Sequence, residues 1–438
     1  MFIRPMAHLQ LEAYIMFQLY LTNCLTENEM EAGTKTLNVE ARISAYLWLM
    51  FSLCFLGNIM GGTASTLMSV YLPVLIKDLV GKVNESQLNQ TGAFINALYF
   101  AGWALGGFLW GLICDRIGRA KSLAIAIGMF GVFTILTSLA SSWELIVLFR
   151  FCCGFGVGGM LVINSTLLSE AWPENSRAIV IGIVSIGFPI GIFSSGALNY
   201  LVSGWRQGFM IGILPLIIGL ISFRVLKESD KWKMTRDGKK ERNVKVNFPG
   251  YRKDLVNGSI IFGTMLIGLW AIFSWMPTWV QTLLSGANGQ HERGLSMMLL
   301  GIGGLAGGFV SGWISNAVGI KKAMLISFAG CFFMSFLLFK TNPTFSGITL
   351  VEIALLSFMF GISQGSLSVY IPLLFPVPIR ATATGFCFNI GRIVTAAAVF
   401  FVGTLVTVLG GYGNSLTIFS SVFLIGFLFL IFSKNIKK

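Results

Sequence analysis

Three ionisable side chains lie inside long apolar stretches of the sequence: Arg150, Glu352 and Arg392. A charge in apolar surroundings is expensive, so each group must be paired, neutralised or used to bind something. Arginine presents a planar fork of N–H donors that fits a carboxylate. A desolvated glutamate near a cation can take up and release a proton around neutral pH. These residue types therefore indicate anion binding and proton exchange.

Arg392 is the main candidate for anion binding. It follows Arg380, which we place at the cytoplasmic surface, by about 18 Å of helix, and this is near the middle of a roughly 30 Å hydrocarbon core. Asn389, one turn earlier, lies on the same helical face and can bond the same ligand. Two interpretations stay open: Arg392 binds a substrate carboxylate, or it is a structural arginine bonded to carbonyls of broken helices.

Glu352 is the predicted proton site, and Arg150 is its predicted partner. The chain repeats itself at an offset near 203 residues, which puts Glu352 at nearly the depth of Arg150 in the other half. The alternative is that Glu352, near the start of its span, lies among the outer headgroups. The predicted substrate-binding residues, which include polar neighbours on the same helical faces, are Arg392, Asn389, Arg150, Asn164, Ser363 and Tyr370.

The elements that must position these residues are membrane-spanning helices. Hydrophobic residues make up 55% of the chain and the mean hydropathy is +0.78, which places it in the integral membrane class. Apolar runs of bilayer-crossing length predict an all-α protein with twelve spans. They lie near 44–70, 92–113, 122–140, 145–169, 178–202, 208–226, 257–284, 295–315, 323–339, 347–371, 382–408 and 414–433.

The positions of Lys and Arg predict the orientation. Twenty of them fall in loops and a tail that share one side of the membrane, ten of these between Lys227 and Lys253, and five fall on the other side. Because cytoplasmic loops retain positive charge, we expect both termini to lie in the cytoplasm. We expect the protein itself to lie in the cell (inner) membrane. Basic residues on this side, which account for the net charge of +13, are expected to attract anionic lipids. We do not expect nucleic-acid binding, because the basic clusters flank membrane spans and no soluble module carries them.

Two pairs of matching segments indicate two related halves. GGFLWGLICDRIGRAK (106–121) and GGFVSGWISNAVGIKK (307–322) share glycines at an offset of 201, and EAWPENSRAIVIG (170–182) matches LLFPVPIRATATG (373–385) at an offset of 203. Matches at nearly one offset predict two homologous six-helix halves. The predicted parts are an N-terminal extension 1–41, disordered or an upstream start-site artefact, the halves 42–226 and 257–438, and a basic linker 227–256.

Parallel six-span repeats with a site between them build a large class of secondary transporters. Over residues 42–434 the chain resembles the major facilitator superfamily, whose loop signature G-x-x-x-D-R-x-G-R matches residues 111–119. The resemblance implies a central cavity lined by helices 1, 4, 7 and 10, and alternating access. It also implies that this loop is a cytoplasmic latch, in which Asp115 bonds the opposite half in one conformation only. The alternative is a merely solvated loop.

Glycines and charges have separate predicted roles in this latch. Gly107 and Gly111 let two helices approach closely, and Gly118 permits a tight turn. In the second half Asn316 replaces the acid, and Ala317 and Ile320 replace the two arginines, so the latch charge is one-sided. The predicted gating residues are Gly111, Asp115, Arg116, Gly118, Arg119, Glu170, Arg177 and Arg380.

Three further segments resemble members of the superfamily. RFCCGFGVGG from Arg150 is similar to the fourth-helix pattern R-x-x-x-G-x-G, and ESDKW from Glu228 resembles the end of helix 6 in sugar porters. RATATGFCFNIGR from Arg380 resembles helix 11 of proton-coupled carriers of organic acids, including aromatic acids and sialic acid. The resemblance implies proton-coupled symport of a small organic anion such as an aromatic or sugar acid.

Other functional classes fit the sequence less well. No nucleophile, base and orienting residue are recognisable, and with two histidines a metal site has few ligands, so we expect neither an enzyme nor a cofactor. Two rivals stay open: a sugar or polyol carrier, and a metabolite or drug antiporter. The helix 5 segment GFPIG (187–191) interrupts the G-P pair of antiporters, and a neutral sugar needs no midplane arginine. We expect a monomer.

Overall fold

The computed structural model describes residues 45–81, 85–229, 232, 249–284, 288–376 and 379–433. The predicted extension 1–41 and most of the predicted linker 227–256 lie outside these residues. The described part contains twelve helices that are long and apolar enough to cross a membrane. They are α1 Ala45–Val80, α2 Glu85–Ile117, α3 Arg119–Leu139, α4 Trp143–Ala171, α5 Glu174–Leu201, α6 Trp205–Val225, α7 Arg252–Thr282, α8 Gln290–Val318, α9 Ile320–Thr341, α10 Gly347–Leu373, α11 Arg380–Leu405 and α12 Tyr412–Phe432.

These helices confirm the twelve predicted spans. A 3₁₀ turn, Met210–Gly212, interrupts α6, and α12 is interrupted at Ser421. The largest difference is in α1, which continues to Val80, past the predicted end near 70. The helix passes through Pro73, whose missing N–H removes one backbone hydrogen bond without ending it. Pro277 lies inside α7 at the corresponding place, so the first helix of each half carries the same local weakness.

Helices α1–α6 form the first half and α7–α12 the second. Two helix pairs join the halves: α2 packs against α11, and α5 packs against α8. Within the first half α2 lies very close to α4, because a Cβ on Gly102 or Gly106 would overlap the carbonyl oxygens of Phe151 or Phe155. Glycine is therefore needed at these positions to let the two backbones meet.

We call the end of the bundle that carries the α2–α3 and α8–α9 loops the inner end, and the opposite end the outer end. The halves are in contact at the outer end. A Cβ on Gly196 of α5 would lie 2.5 Å from the carbonyl oxygen of Gly294 on α8. Between α2 and α11 the rings of Phe94 and Phe400 have centroids 5.1 Å apart. The seam between the halves is therefore closed at the outer end.

The same four helices stand apart at the inner end. Gly111 of α2, Gly182 of α5, Gly312 of α8 and Gly385 of α11 each have no atom within 4 Å of the position that a Cβ would take. In this structure Gly111 therefore does not mediate the close helix approach predicted for it. Gly107, one turn further out, does face the second half. The seam opens inward of Gly107.

Candidate functional site

Arg392 and Asn389 lie together on α11 where this helix packs against α2. Arg392 Nη1 donates to Asn389 Oδ1 at 3.1 Å. A Cβ on Gly107 would lie 3.1 Å from that oxygen and 3.8 Å from Arg392 Nη1, so both side chains reach the seam. Both are half-buried, and no ion pair among the described residues includes Arg392. The guanidinium, which has five N–H donors, is available to a further acceptor.

An aromatic cluster lies on the outer side of this pair. Trp103 is one turn outward of Gly107 on α2, and its ring centroid lies 5.1 Å from that of Trp270 on α7. Phe100 also packs on Trp270 at 5.0 Å, and Phe188 of α5 packs on Trp103 at 5.8 Å. Four residues of helix rise about 6 Å, so the aromatic cluster lies about one turn outward of the level at which Arg392 and Asn389 face α2. The cluster also joins the two halves across the seam.

Arg150 is bound inside the first half. It is 1% exposed, its Nη2 donates to the carbonyl of Ala64 at 2.8 Å, and its guanidinium lies 4.3 Å from the centroid of the Tyr99 ring. A cation over an aromatic face is attracted by the ring quadrupole. The structure therefore places Arg150 between α1, α2 and α4 and does not bring it to Arg392.

Glu352 lies near the outer end of α10. Its Oε2 accepts a hydrogen bond from Asn342 Nδ2 at 2.6 Å, and Asn342 Oδ1 accepts one from Thr349 at 2.8 Å. These bonds tie the first turns of α10 to the segment after α9. The predicted Glu352–Arg150 pair is not present, because Arg150 bonds a carbonyl and a ring of its own half. Glu352 is buried at this end of α10, and its described hydrogen-bond partner is a neutral amide.

Three other predicted substrate-binding residues pack within their own halves. Asn164 donates to the carbonyl of Cys54 on α1 at 3.2 Å, and Ser363 donates to Phe360 one turn earlier on α10 at 2.6 Å. Tyr370 is hydrogen-bonded through its hydroxyl to Ser433 beyond the end of α12. All three are buried, so the structure does not bring them to Arg392 and Asn389.

The inner loop of the first half is organised around Arg119. This side chain pairs with Asp115 at 3.0 Å and with Glu170, at the end of α4, at 3.1 Å. Asp115 is 65% exposed and Arg116 is exposed. Gly118 has φ 107°, which other residues rarely adopt. The described ion pair of Asp115 is with Arg119, within the first half.

Arg177 and Arg380 make the same bond in the two halves. Each donates its Nε at 3.2 Å to the carbonyl of the residue five positions earlier, Trp172 and Phe375 respectively. These bonds close the turns before α5 and α11, and Arg177 also lies 3.7 Å from Glu174. The two predicted gating arginines therefore have a structural role at the start of the helices that form the seam.

Comparison with known proteins identifies the architecture. The family model described as Major Facilitator Superfamily matches residues 53–399. The chain belongs to the major facilitator superfamily. The twelve helices in two six-helix halves are the fold of this superfamily, and the protein is an integral, multi-pass membrane transport protein.

Several relatives in the superfamily carry organic acids. The chain is 24% identical to the cis,cis-muconate transport protein of Acinetobacter baylyi, over 84% of this chain and 90% of that protein. It is 25% identical to the 4-hydroxybenzoate transporter PcaK of the same species, over 81% and 83%. It is 27% identical to the sialic acid transporter NanX of Escherichia coli, over 73% and 78%.

Solved structures of other superfamily members share the fold. The xylose transporter XylE from E. coli, in a partially occluded inward-open conformation, gives a TM-score of 0.75 at 19% identity, covering 90% of this chain and 98% of that one. A bacterial homologue of the lysosomal transporter Spinster gives 0.70 at 15% identity, covering 89% and 97%.

Three residues that the sequence did not single out for gating make contacts at the inner end of the transporter. Glu228, after α6, accepts the N–H groups of Ala120 and Lys121 at the start of α3, at 3.1 and 3.0 Å. Ser229 is hydrogen-bonded to Glu170, and Trp232 donates its indole N–H to the Asp115 carbonyl at 2.9 Å. All three belong to the segment ESDKW (228–232), so the signal was present, but no gating role was assigned to it.

The sequence offers few side chains that could bind a metal ion. Among the described residues no group of three or more His, Cys, Asp or Glu side chains is placed to hold a metal ion. The six cysteines of the described part are free, and all but Cys152 are buried.

Proposed function

We propose that this protein is a secondary transporter that moves a small organic anion together with a proton by alternating access. In this proposal the inner end faces the cytoplasm, and the open inner seam is the inward-open state. The observation that carries the proposal is Arg392, a guanidinium near the middle of α11 that faces the seam beside Asn389 without a carboxylate partner in the described part of the chain. Burying such a charge is costly unless an anion joins it in part of the cycle.

An arginine of this kind selects an anion through geometry as well as charge. Its planar fork forms two parallel hydrogen bonds with a carboxylate, which are stronger than neutral ones. Asn389 accepts a hydrogen bond from Nη1 of Arg392, and its amide can also turn toward the same ligand. Arg150, which has no described carboxylate partner, adds positive potential from the first half. A neutral sugar would leave Arg392 uncompensated, which disfavours the sugar-carrier alternative.

The surroundings of Arg392 favour an acid with a flat unsaturated body over a sugar acid. Trp103, Phe188 and Trp270 present rings about one helical turn outward of the guanidinium. A planar substrate can stack on these rings, whereas the hydroxyl groups of a sugar acid would lose water there without compensation. The muconate and 4-hydroxybenzoate transporters among the relatives are consistent with this preference.

The test is direct binding of an acid and of its methyl ester. We expect benzoate to bind the wild-type protein and methyl benzoate not to bind. Arg392→Lys should weaken benzoate binding about tenfold or more although the charge is kept, because lysine is a point donor that cannot form the bidentate pair. Arg206→Lys is the matched control, since Arg206 pairs with Asp78 at the outer surface. Equal affinity for acid and ester would rule out the anion proposal.

The proton is assigned to Glu352. It is 7% exposed and accepts a hydrogen bond from the Asn342 amide, and an ionisable residue buried within a span is a candidate proton site. We expect Glu352→Gln to abolish accumulation under a pH gradient while exchange of substrate continues, because glutamine keeps the Asn342 bond and loses only the titration.

The control for this variant is Glu144→Gln in the first turn of α4, an exposed acid that should leave accumulation unchanged. Uptake and counterflow in proteoliposomes measure the two activities separately. Accumulation by Glu352→Gln at the wild-type level would place the proton site elsewhere.

A further inference from the structure

Arg293, in the first turn of α8, is held by both halves at the outer end. It is 2% exposed. Its Nε donates to the carbonyl of Val70 on α1 at 3.1 Å, and its Nη1 donates to the carbonyl of Asn288 at 2.8 Å and to the side chain of Gln281. Val70 belongs to the first half, whereas Asn288 and Gln281 belong to the second. The guanidinium therefore bridges the seam.

The residues around Arg293 cross the same boundary. Gln290 donates to the carbonyl of Asn199 on α5 at 2.8 Å, and the ring of His291 lies against Tyr200 with centroids 4.3 Å apart. The backbones of Gly294 and Gly196 meet one turn further along. When the outer end opens, α8 must move away from α1 and α5, and all these contacts must break. Arg293 is the charged member of the set.

The acceptors of Arg293 are all neutral. They are two backbone carbonyls and one amide, and no ion pair among the described residues includes this arginine. The carboxylate of Glu292, the preceding residue, attracts Arg293 without forming an ion pair, so the buried cation is stabilised only in part by its described contacts. Opening the outer end removes the Val70 carbonyl and exposes the guanidinium to the outside. An anion is the partner that best replaces the lost carbonyl.

We infer that Arg293 is the outer latch of the transporter and also the first binding group for its anionic substrate. In the closed state it holds the Val70 carbonyl, and in the open state it takes the carboxylate of the incoming anion before the anion reaches Arg392. The latch follows from the contacts across the seam. The nature of the ligand rests on the proposed function.

The latch is tested by the accessibility of a buried position elsewhere on the seam between the halves. Asn96 is 4% exposed and lies on α2 between Gly92, where a Cβ would be 3.1 Å from the ring of Trp275, and Phe100, which packs on Trp270. We expect Arg293→Gln to speed the labelling of Asn96→Cys by a membrane-impermeant thiol reagent from outside about fivefold or more, because the outward-open state gains population. Arg206→Gln, which removes an outer arginine bound within the first half, should not change it. The chain without Asn96→Cys gives the background from native cysteines.

The binding role is tested by the sidedness of transport. With benzoate as the probe, the KM of uptake from outside should be about tenfold higher in Arg293→Gln than in Arg293→Lys, and the KM of efflux from inside should be the same in the two variants, because the charge acts only at the outer mouth. Arg293→Lys keeps the charge, so it should speed labelling as Arg293→Gln does while raising the uptake KM much less.

Each part of the inference has a result that overturns it. Unchanged labelling in folded Arg293→Gln or, where that variant does not fold, in Arg293→Lys overturns the latch. An equal rise of KM in both directions from Arg293→Lys to Arg293→Gln overturns the external binding role. If the wild-type protein transports no carboxylate, the proposed function and the binding role both fail, and labelling still decides the latch.

Discussion

The α2–α3 loop and the α8–α9 loop make the same turn with different side chains. Gly118 has φ 107° and Gly319 has φ 90°, and their N–H groups bond the carbonyls of Cys114 and Ser315 at 3.1 and 3.0 Å. Only glycine adopts this backbone easily, so the turn explains the glycines that the two loops share. It does not explain why the charges occur in one loop only.

The two halves tie the sixth helix to the third with opposite polarity. In the first half Glu228, after α6, accepts the N–H groups of Ala120 and Lys121 at the start of α3. In the second half Lys321, at the start of α9, donates to the carbonyls of Ile431 and Ser433 at the end of α12, at 3.0 and 2.7 Å. An acid makes the tie in one case and a base in the other.

Comparison of the two halves distinguishes charges with a structural role from charges that can act in gating. Both halves have the tie between their third and sixth helices, so the missing acid of the second loop is not a structural loss. What is one-sided is the group of Asp115, Arg119 and Glu170. We therefore propose that only the first loop acts as a latch when the inner end closes, with Asp115, which is 65% exposed, as its free end.

The largest loss of stability should come from replacing the glycines of the two turns. Gly118→Ala and Gly319→Ala both introduce a side chain at positive φ, which costs about 1–3 kcal/mol. Gly118→Ala should cost more, because its Cβ would overlap the Glu228 carboxylate, whereas nothing lies within 4 Å of a Cβ at Gly319. The free energy of unfolding in detergent measures the difference. Equal losses would mean that the loop moves without disturbing Glu228.

A smaller loss of stability should follow from removing the hydrogen bonds that join the third and sixth helices of each half. Glu228→Ala leaves two N–H groups at the start of α3 without their cap and should cost about 1 kcal/mol, as loss of a helix cap does. Lys321→Met removes bonds from a side chain that is partly in water and should cost less than half of that. Thermal unfolding of the two variants in one detergent compares them. A larger loss for Lys321→Met would reverse our assignment of the stronger tie.

The smallest effect on stability should come from the acid itself. Asp115→Asn removes an exposed pair with Arg119 and should change the free energy of unfolding by less than about 0.5 kcal/mol. Turnover should nevertheless fall strongly, because one of the two conformations loses a bond. Asn316→Asp, the matched change in the second loop, should alter neither. Normal turnover in Asp115→Asn would show that the loop is only solvated surface.

Local patterns in the sequence predicted the local parts of this structure. Hydropathy located every span, and helical spacing placed Asn389 beside Arg392, because both depend only on neighbours along one helix. Depth along a helix does not determine the direction in which a side chain points. Arg150 and Glu352 were therefore assigned to one pair, although the first faces Tyr99 and the second faces Asn342.

Contacts between distant segments were harder to predict. Glu228 meets the start of α3 about a hundred residues away in the chain, and no periodicity connects the two segments. Tyr370 lies on the polar stripe of α10, but the stripe does not reveal which helix it meets, and its partner is Ser433. Gly111 has the spacing of a packing glycine, yet it faces open space here because the inner end is open.

The contact between Trp103 and Trp270 gives the molecule an optical signal of its own. The two indoles belong to different halves and have centroids 5.1 Å apart, with their planes at 71°. Chromophores this close couple their electronic transitions, and the coupling contributes to the near-ultraviolet circular dichroism. Separation of the halves at this level would remove that contribution. The wild-type, Trp103→Phe, Trp270→Phe and doubly substituted spectra together isolate the coupling from the signals of the single indoles, so the position of the seam can be followed without any attached label.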